Sequence, residues 1–313
     1  MDTMMALRAH ARGGPEQLVY ERAPVPVPAP GEVLVAVAAA AITFAELTWD
    51  LSWTTLDGRD RTPVIPAHEV SGTVAALGDG VTGLAAGDEV FGLVGFDRDG
   101  AAAGFTAVAA ADLAARPRSV THAQTATLPL AALTAWQALA DHAGLQAGER
   151  VLVLGGAGGV GVYAVQLAVI LGGQVTATGR DRDAAFIRGL GADAFASIGA
   201  QAGLSGFDVV IDTVGGAALA ASYGTLRPGG RLVTLSAPPD PDRARATEVR
   251  AMFFVVTPDQ AQLTHLAQLT DAGRLRPVLS QAFPLARGRA AFESGSQSRP
   301  PGKTVLIVDG PER

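Results

Sequence analysis

Residues 151–178 carry no charged side chain, yet seven of them are glycine. An uncharged run of that length invites a membrane span. The glycines, however, cluster at 155–161 and 172–173, which suits a strand, a turn, a helix and a second strand. Within the run, Gly156-Ala157-Gly158-Gly159-Val160-Gly161 follows the apolar stretch 150–154 and opens the helical pattern 160–171. That context makes G-x-G-x-x-G a diphosphate-binding expectation rather than a chance match. Gly156 is expected to make the tight turn and Gly158 to let the diphosphate approach the backbone. Gly159 and Val160 present amides at the helix start, and Gly161 lets helix and strand pack closely.

The remainder of the chain supports this reading. From residue 121, apolar strands alternate with helices: strands at 174–178, 207–213 and 231–236, helices at 182–190 and 217–226. Such alternation implies right-handed crossovers and a doubly wound parallel sheet. Val209-Val210-Ile211 is apolar on both faces, as a sheet covered on both sides requires. The first third reads differently. Short strands at 31–37, 70–74 and 89–92 are separated by Gly78-Asp79-Gly80 and Gly87-Asp88, the pattern of a small barrel or sandwich. Residues 259–272 read as a helix capped by Gly273, and 304–308 as a last strand. The predicted class is therefore α/β, with a β-rich domain of residues 1–121 and 256–313 around a Rossmann domain of residues 122–255.

Composition removes several chemistries. The chain has no cysteine, so disulfides, iron–sulfur clusters and thiol nucleophiles are excluded. A net charge of −6 argues against nucleic acid as a partner. No basic segment followed by an apolar run begins the chain, so no secretory leader is expected. No other long apolar segment lacks charges or turn residues, so a soluble, cytoplasmic protein is expected.

After the second strand of the parallel series stand Gly179 and Arg180, with Arg182 close by. A coenzyme loop that prefers NAD places a carboxylate there for the ribose 2′-hydroxyl. A small residue followed by a guanidinium suits a 2′-phosphate, and NADPH is the expected coenzyme. Asp181 and Asp183 oppose that reading, because Asp181 takes the carboxylate position if the strand runs longer.

The chain resembles the medium-chain dehydrogenase/reductase superfamily, of the zinc-free quinone oxidoreductase type. The resemblance rests on ordered fragments across nearly the whole length. Among them are Pro30-Gly31-Glu32-Val33-Leu34-Val35, Pro66-Ala67-His68-Glu69-Val70-Ser71-Gly72 and Gly87-Asp88-Glu89-Val90-Phe91-Gly92. Leu128-Pro129-Leu130-Ala131, Asp212-Thr213-Val214-Gly215 and Gly302-Lys303-Thr304-Val305-Leu306 follow in family order. It implies a GroES-like catalytic domain built from both chain ends, a nicotinamide in the cleft beside the Rossmann domain, and a homodimer or tetramer through an edge strand, with 249–256 either that edge or a strand covered within its own chain. It also implies coenzyme contacts from Val214, Ser236, Val255 and Lys303, and places Thr134 near the nicotinamide.

Zinc members of that superfamily carry a cysteine where Thr43 stands, and a Gly-His-Glu segment where this chain has Ala67-His68-Glu69. One histidine and one carboxylate fall short of a catalytic zinc site, so no metal is expected. Without a Lewis acid, hydride donation to a quinone or enone is the favoured reaction, because the acceptor spreads the charge onto its oxygen. Thr43 is the expected donor to that oxygen. Trp49 and Trp53 are candidates for an aromatic lid, and Glu46 reads as a solvated loop carboxylate. Two alternatives stay open: an enoyl reductase acting in trans or an oxidoreductase of a secondary-metabolite pathway, and a nicotinamide-binding protein with little turnover.

Overall fold

The computed structural model describes residues 2–55 and 57–308, apart from the side chains of Gln201 and Ala202. The chain divides into two compact units. One contains residues 1–130, 258–273 and 277–313, the other residues 131–257 and 274–276.

The first unit is organised around the strand Glu32–Ala41. Its valines at 33, 35 and 37 alternate with partly exposed neighbours, the period-two signature of a strand with one buried face. Glu69–Leu77 runs antiparallel along it. Phe105–Ala109 pairs with its first half and Lys303–Ile307 with its last three residues. Glu89–Leu93, Leu113–Ala115 and Leu279–Pro284 complete a seven-stranded sheet, and Thr3–Ala9 pairs with Leu18–Pro24 as a separate hairpin. The helix Gln260–Asp271 starts where the Asp259 side chain accepts from the Gln262 amide, and ends at Gly273 with φ +68°. It buries Leu263, Leu266 and Leu269 on one face.

Residues 122–130, expected with the Rossmann domain, belong to the first unit. The reason is local. Thr121 and Gln124 form a reciprocal cap on the helix His122–Thr125. The His122 ring bridges Ser71 (2.8 Å) and Glu89 (3.2 Å), two strands of the β-rich sheet. Residues 274–276 fall in the second unit because Gln166 exchanges two hydrogen bonds with the Arg276 backbone.

The second unit is a six-stranded, wholly parallel sheet. Its spatial order is Ala194–Ser197, Gln174–Gly179, Arg150–Leu154, Phe207–Asp212, Leu226–Thr234, Arg250–Phe253. Chain order reverses between Arg150–Leu154 and Phe207–Asp212, so a crevice opens beyond their carboxyl ends. The two central strands bury their apolar stretches Val151–Leu154 and Val209–Ile211, as a sheet covered on both faces requires. Val249–Val256, expected as an edge, contributes Arg250–Phe253 at one end of the sheet. The uncharged run 151–178 is resolved as strand, loop, helix Gly161–Ile170 and strand, and no helix among the described residues is long and apolar enough to cross a membrane.

Candidate active site

The glycine loop sits at the reversal point of the parallel sheet. Its tight turn falls on Gly155, at φ +82°, rather than on Gly156. Glycine is the one residue that enters that region without a steric penalty. The turn is pinned by the Gly155 amide donating to Thr178 Oγ1 (3.1 Å) and the Gly156 amide to the Thr178 carbonyl (2.7 Å). Gly161 makes the close approach expected of it, since a Cβ there would stand 2.0 Å from the Gly155 carbonyl oxygen. A Cβ at Gly158 would meet only that same oxygen, at 3.2 Å, so the outer side of the loop is open. The helix bonds begin with Val162 donating to Gly158 and Ala164 to Val160. Among the described residues, the amides of Gly159, Val160 and Gly161 meet no acceptor. Three free N–H groups at a helix start form an anion cradle.

The neighbouring strand ends contribute the other residues singled out in the sequence. Gly179 closes its strand against Ile187 and Phe195, and a Cβ would come within 2.6 Å of Ile187 Cδ1. A side chain there would have to displace the tip of Ile187. Arg180 follows, exposed, and Arg182 leans toward Asp183 at 3.8 Å. Asp181 accepts a hydrogen bond from the Ser197 hydroxyl. Beyond the adjacent strand, buried Asp212 accepts four hydrogen bonds, from the amides of Val214 and Gly215 and the hydroxyls of Thr234 and Ser236. That shapes the 213–216 turn beside Gly155. Val214 and Val255 are left 55% exposed, each past the carboxyl end of a parallel strand. Thr134 lies buried on the helix Pro129–Trp136.

The first unit holds a second cluster, which sequence reasoning did not assemble. Glu69 and Lys303 are 1% and 6% exposed, and they meet at 2.5 Å. The Lys303 ammonium also donates to the Ile42 carbonyl (3.0 Å) and to Thr43 Oγ1 (3.2 Å). The ammonium thus makes two hydrogen bonds and one ion pair inside this unit. Glu69 Oε1 accepts from the Leu130 amide.

Glu46 is not a solvated loop carboxylate. Its side chain is buried, and accepts from the amides of Thr43 (3.3 Å) and Ala67 (3.0 Å). Burial pushes its carboxyl up to about 8, against the opposing pull of the Ala67 amide and the Lys303 charge. Trp53 is core rather than lid; it is buried, with its indole N–H on the Leu47 carbonyl (2.8 Å). Trp49 instead meets Phe96 edge-on at 5.4 Å, and Phe96 meets the His68 ring at 5.2 Å. Burial, reinforced by Arg61, pushes His68 down to about 4, so it is neutral. Its Nδ1 has no partner among the described residues. The sequence signal for this cluster was a charged residue at the start of each of two otherwise uncharged strands, Glu69 and Lys303.

Residues 29–118 match the alcohol dehydrogenase GroES-like domain, and residues 183–306 match the family described as zinc-binding dehydrogenase. The NAD(P)H oxidoreductase RTN4IP1, mitochondrial, of Danio rerio is 30% identical over 282 residues, spanning 79% of this chain and 72% of that protein. The 2-methylene-furan-3-one reductase of Solanum lycopersicum is 34% identical over 257 residues, spanning 78% of this chain and 63% of the reductase. The solved quinone oxidoreductase from Coxiella burnetii superposes with a TM-score of 0.90 at 27% identity, over 98% of this chain and 100% of that one.

The second family description implies zinc, and the residues here do not fit it. A catalytic zinc takes three protein ligands from cysteine, histidine and carboxylate. The chain has no cysteine, and no group of three such side chains converges among the described residues. Glu69 is already neutralised by Lys303. With a GroES-like β-rich unit, a parallel sheet carrying a glycine loop, and relatives of this kind across most of its length, the chain belongs to the medium-chain dehydrogenase/reductase superfamily and is an oxidoreductase of that superfamily.

Proposed function

We propose that this protein is a zinc-independent, NADPH-dependent reductase of quinones or enones. The observation that carries the reading is the Thr43 hydroxyl, held by a buried ammonium at the position where zinc relatives carry a ligand. When bound, the coenzyme supplies a hydride. The free amides of Gly159, Val160 and Gly161, with Gly156 and Gly158 giving backbone access, take its diphosphate. Arg180, flanked by Arg182 and preceded by Gly179, which brings no carboxylate, takes the 2′-phosphate as a charge-assisted pair. Val214, Ser236, Val255 and Thr134 complete the coenzyme's surroundings. The Thr43 hydroxyl donates to the acceptor oxygen as it gains negative charge, and the Trp49 ring packs on a flat acceptor. Water supplies the proton that completes the reduction. The enone activity named for the tomato relative and the quinone activity named for the Coxiella relative support this acceptor class.

The test is NADPH oxidation against a panel of quinones, 2-alkenals and enoyl thioesters, with and without a zinc chelator. Turnover of quinones or alkenals, unchanged by the chelator, is expected. Exclusive turnover of thioesters moves the assignment to an enoyl reductase, and NADPH binding without any turnover moves it to a binding protein. Arg180→Ala is expected to weaken NADPH by at least tenfold and leave NADH nearly unchanged. Equal losses remove Arg180 from the phosphate site.

A further inference from the structure

The bond between Lys303 and Thr43 has a direction. An ammonium donates and never accepts, so Thr43 Oγ1 is the acceptor in that 3.2 Å contact. The hydroxyl's own proton therefore points elsewhere, and no described residue accepts it. Everything around the pair fixes this arrangement. The Ile42 carbonyl accepts a second ammonium proton, and the Glu69 carboxylate holds the ammonium as an ion pair. The Leu130 amide holds Glu69 from behind. Glu46 grips the Thr43 amide and ties it to Ala67. A hydroxyl that accepts from a cation is also polarised into a better donor.

We propose that Lys303 is a positioning residue: held by Glu69, it orients and polarises the Thr43 hydroxyl so that its proton is presented to the oxygen of the reduced acceptor. This rests on the reductase reading above and adds a role for two residues that touch neither coenzyme nor acceptor. The fixed cation supplies, through one hydroxyl, a share of the charge stabilisation that a metal provides directly in zinc-dependent relatives. No covalent step is added, since Thr43 donates a hydrogen bond only.

Lys303→Met alone would strand the Glu69 charge in the core, so the test uses Lys303→Met/Glu69→Gln, which removes both charges and keeps an oxygen for the Leu130 amide. The single variants Thr43→Val and Thr43→Ser, and the combination of Thr43→Val with the double variant, complete a cycle. The double variant is expected to lose about 100-fold in kcat, as does Thr43→Val, while Thr43→Ser retains most of it. Thr43→Val in the double-variant background is expected to cost less than about threefold more. NADPH affinity, measured by calorimetry, is expected to stay within about twofold throughout. Equal factors for Thr43→Val in both backgrounds would show the two residues acting independently and overturn the proposal. So would a tenfold loss of NADPH affinity in the double variant, which would return Lys303 to the coenzyme. A binding arm stands apart from turnover. With NADP+ present, 4-nitrophenolate offers an oxyanion, and it is expected to bind wild type about tenfold tighter than either Thr43→Val or the double variant. Equal affinities overturn the proposal. A preserved difference in a protein that reduces no acceptor overturns the reductase reading and leaves the positioning intact.

Discussion

Glu46 ties stability to pH in an unusual direction. Its carboxyl is pushed up to about 8 by burial, from an ordinary value of 4.5. Between those two values the native protein keeps a proton that the unfolded chain has released, so stability falls as pH rises through the window. His68 works oppositely. Burial pushes it down to about 4 from 6.5, so its contribution is lost as pH falls through that range. The two slopes offset one another between 4.5 and 6.5, which leaves Glu46 exposed as the main contributor above 6.5. One pKa unit is worth about 1.4 kcal/mol, and integrating from pH 6.5 to 9 gives a loss of about 2 kcal/mol. Glu46→Gln has no proton to release. Urea or thermal unfolding at pH 6.5 and pH 9 should show wild type losing about 2 kcal/mol more than the variant, roughly 4 °C in Tm for a chain of this size. The absolute stability of Glu46→Gln is not the readout, because the amide cannot accept from both backbone N–H groups. Parallel pH profiles for the two proteins would refute the reasoning and mean that Glu46 is ionised throughout.

Three further outcomes are expected. Gly161→Ala places a Cβ 2.0 Å from the Gly155 carbonyl oxygen, so it should cost about 1–3 kcal/mol in thermal stability and at least tenfold in NADPH affinity; a variant that binds like wild type in calorimetry would contradict the close approach. Trp53→Phe keeps most of the buried ring but leaves the Leu47 carbonyl without its donor, a loss of about 1–3 kcal/mol by urea unfolding; a change below about 0.3 kcal/mol would show that water replaces the indole. Phe253, on the edge strand Arg250–Phe253, is 39% exposed, and Phe253→Glu should convert a homodimer to a folded monomer in sedimentation velocity; a monomeric wild type removes the edge from consideration.

What could be read from sequence was what local chemistry decides. The glycine loop was legible because strand, turn and helix lie within about twenty residues, and each glycine answers to a neighbour close in the chain. Even there, the left-handed turn moved by one residue to Gly155, since the G-x-G-x-x-G spacing begins after it. The strand Ala194–Ser197 went unread; Ala-Phe-Ala-Ser offers neither alternation nor an apolar run, and pairing with Gln174–Gly179 alone makes it a strand. The contacts of Lys303 with Thr43 and Glu69 went unread because both partners lie more than 230 positions away, and no local pattern announces them. Glu46 looked solvated because it sits among loop residues. The amides of Thr43 and Ala67 make it internal, and a sequence does not reveal which distant N–H lacks an acceptor.

The first unit is stitched from both ends of the chain, through Lys303–Ile307 laid against Glu32–Ala41. During synthesis this has an order built into it. The stretch 131–257 is contiguous and can condense once it clears the ribosome, whereas the β-rich unit waits for its last strand. Until that strand arrives, Glu69 lacks its counter-cation and Thr43 its orienting neighbour. The parallel sheet can thus form before Lys303 joins Glu69 and Thr43, and the strand Lys303–Ile307 completes that cluster.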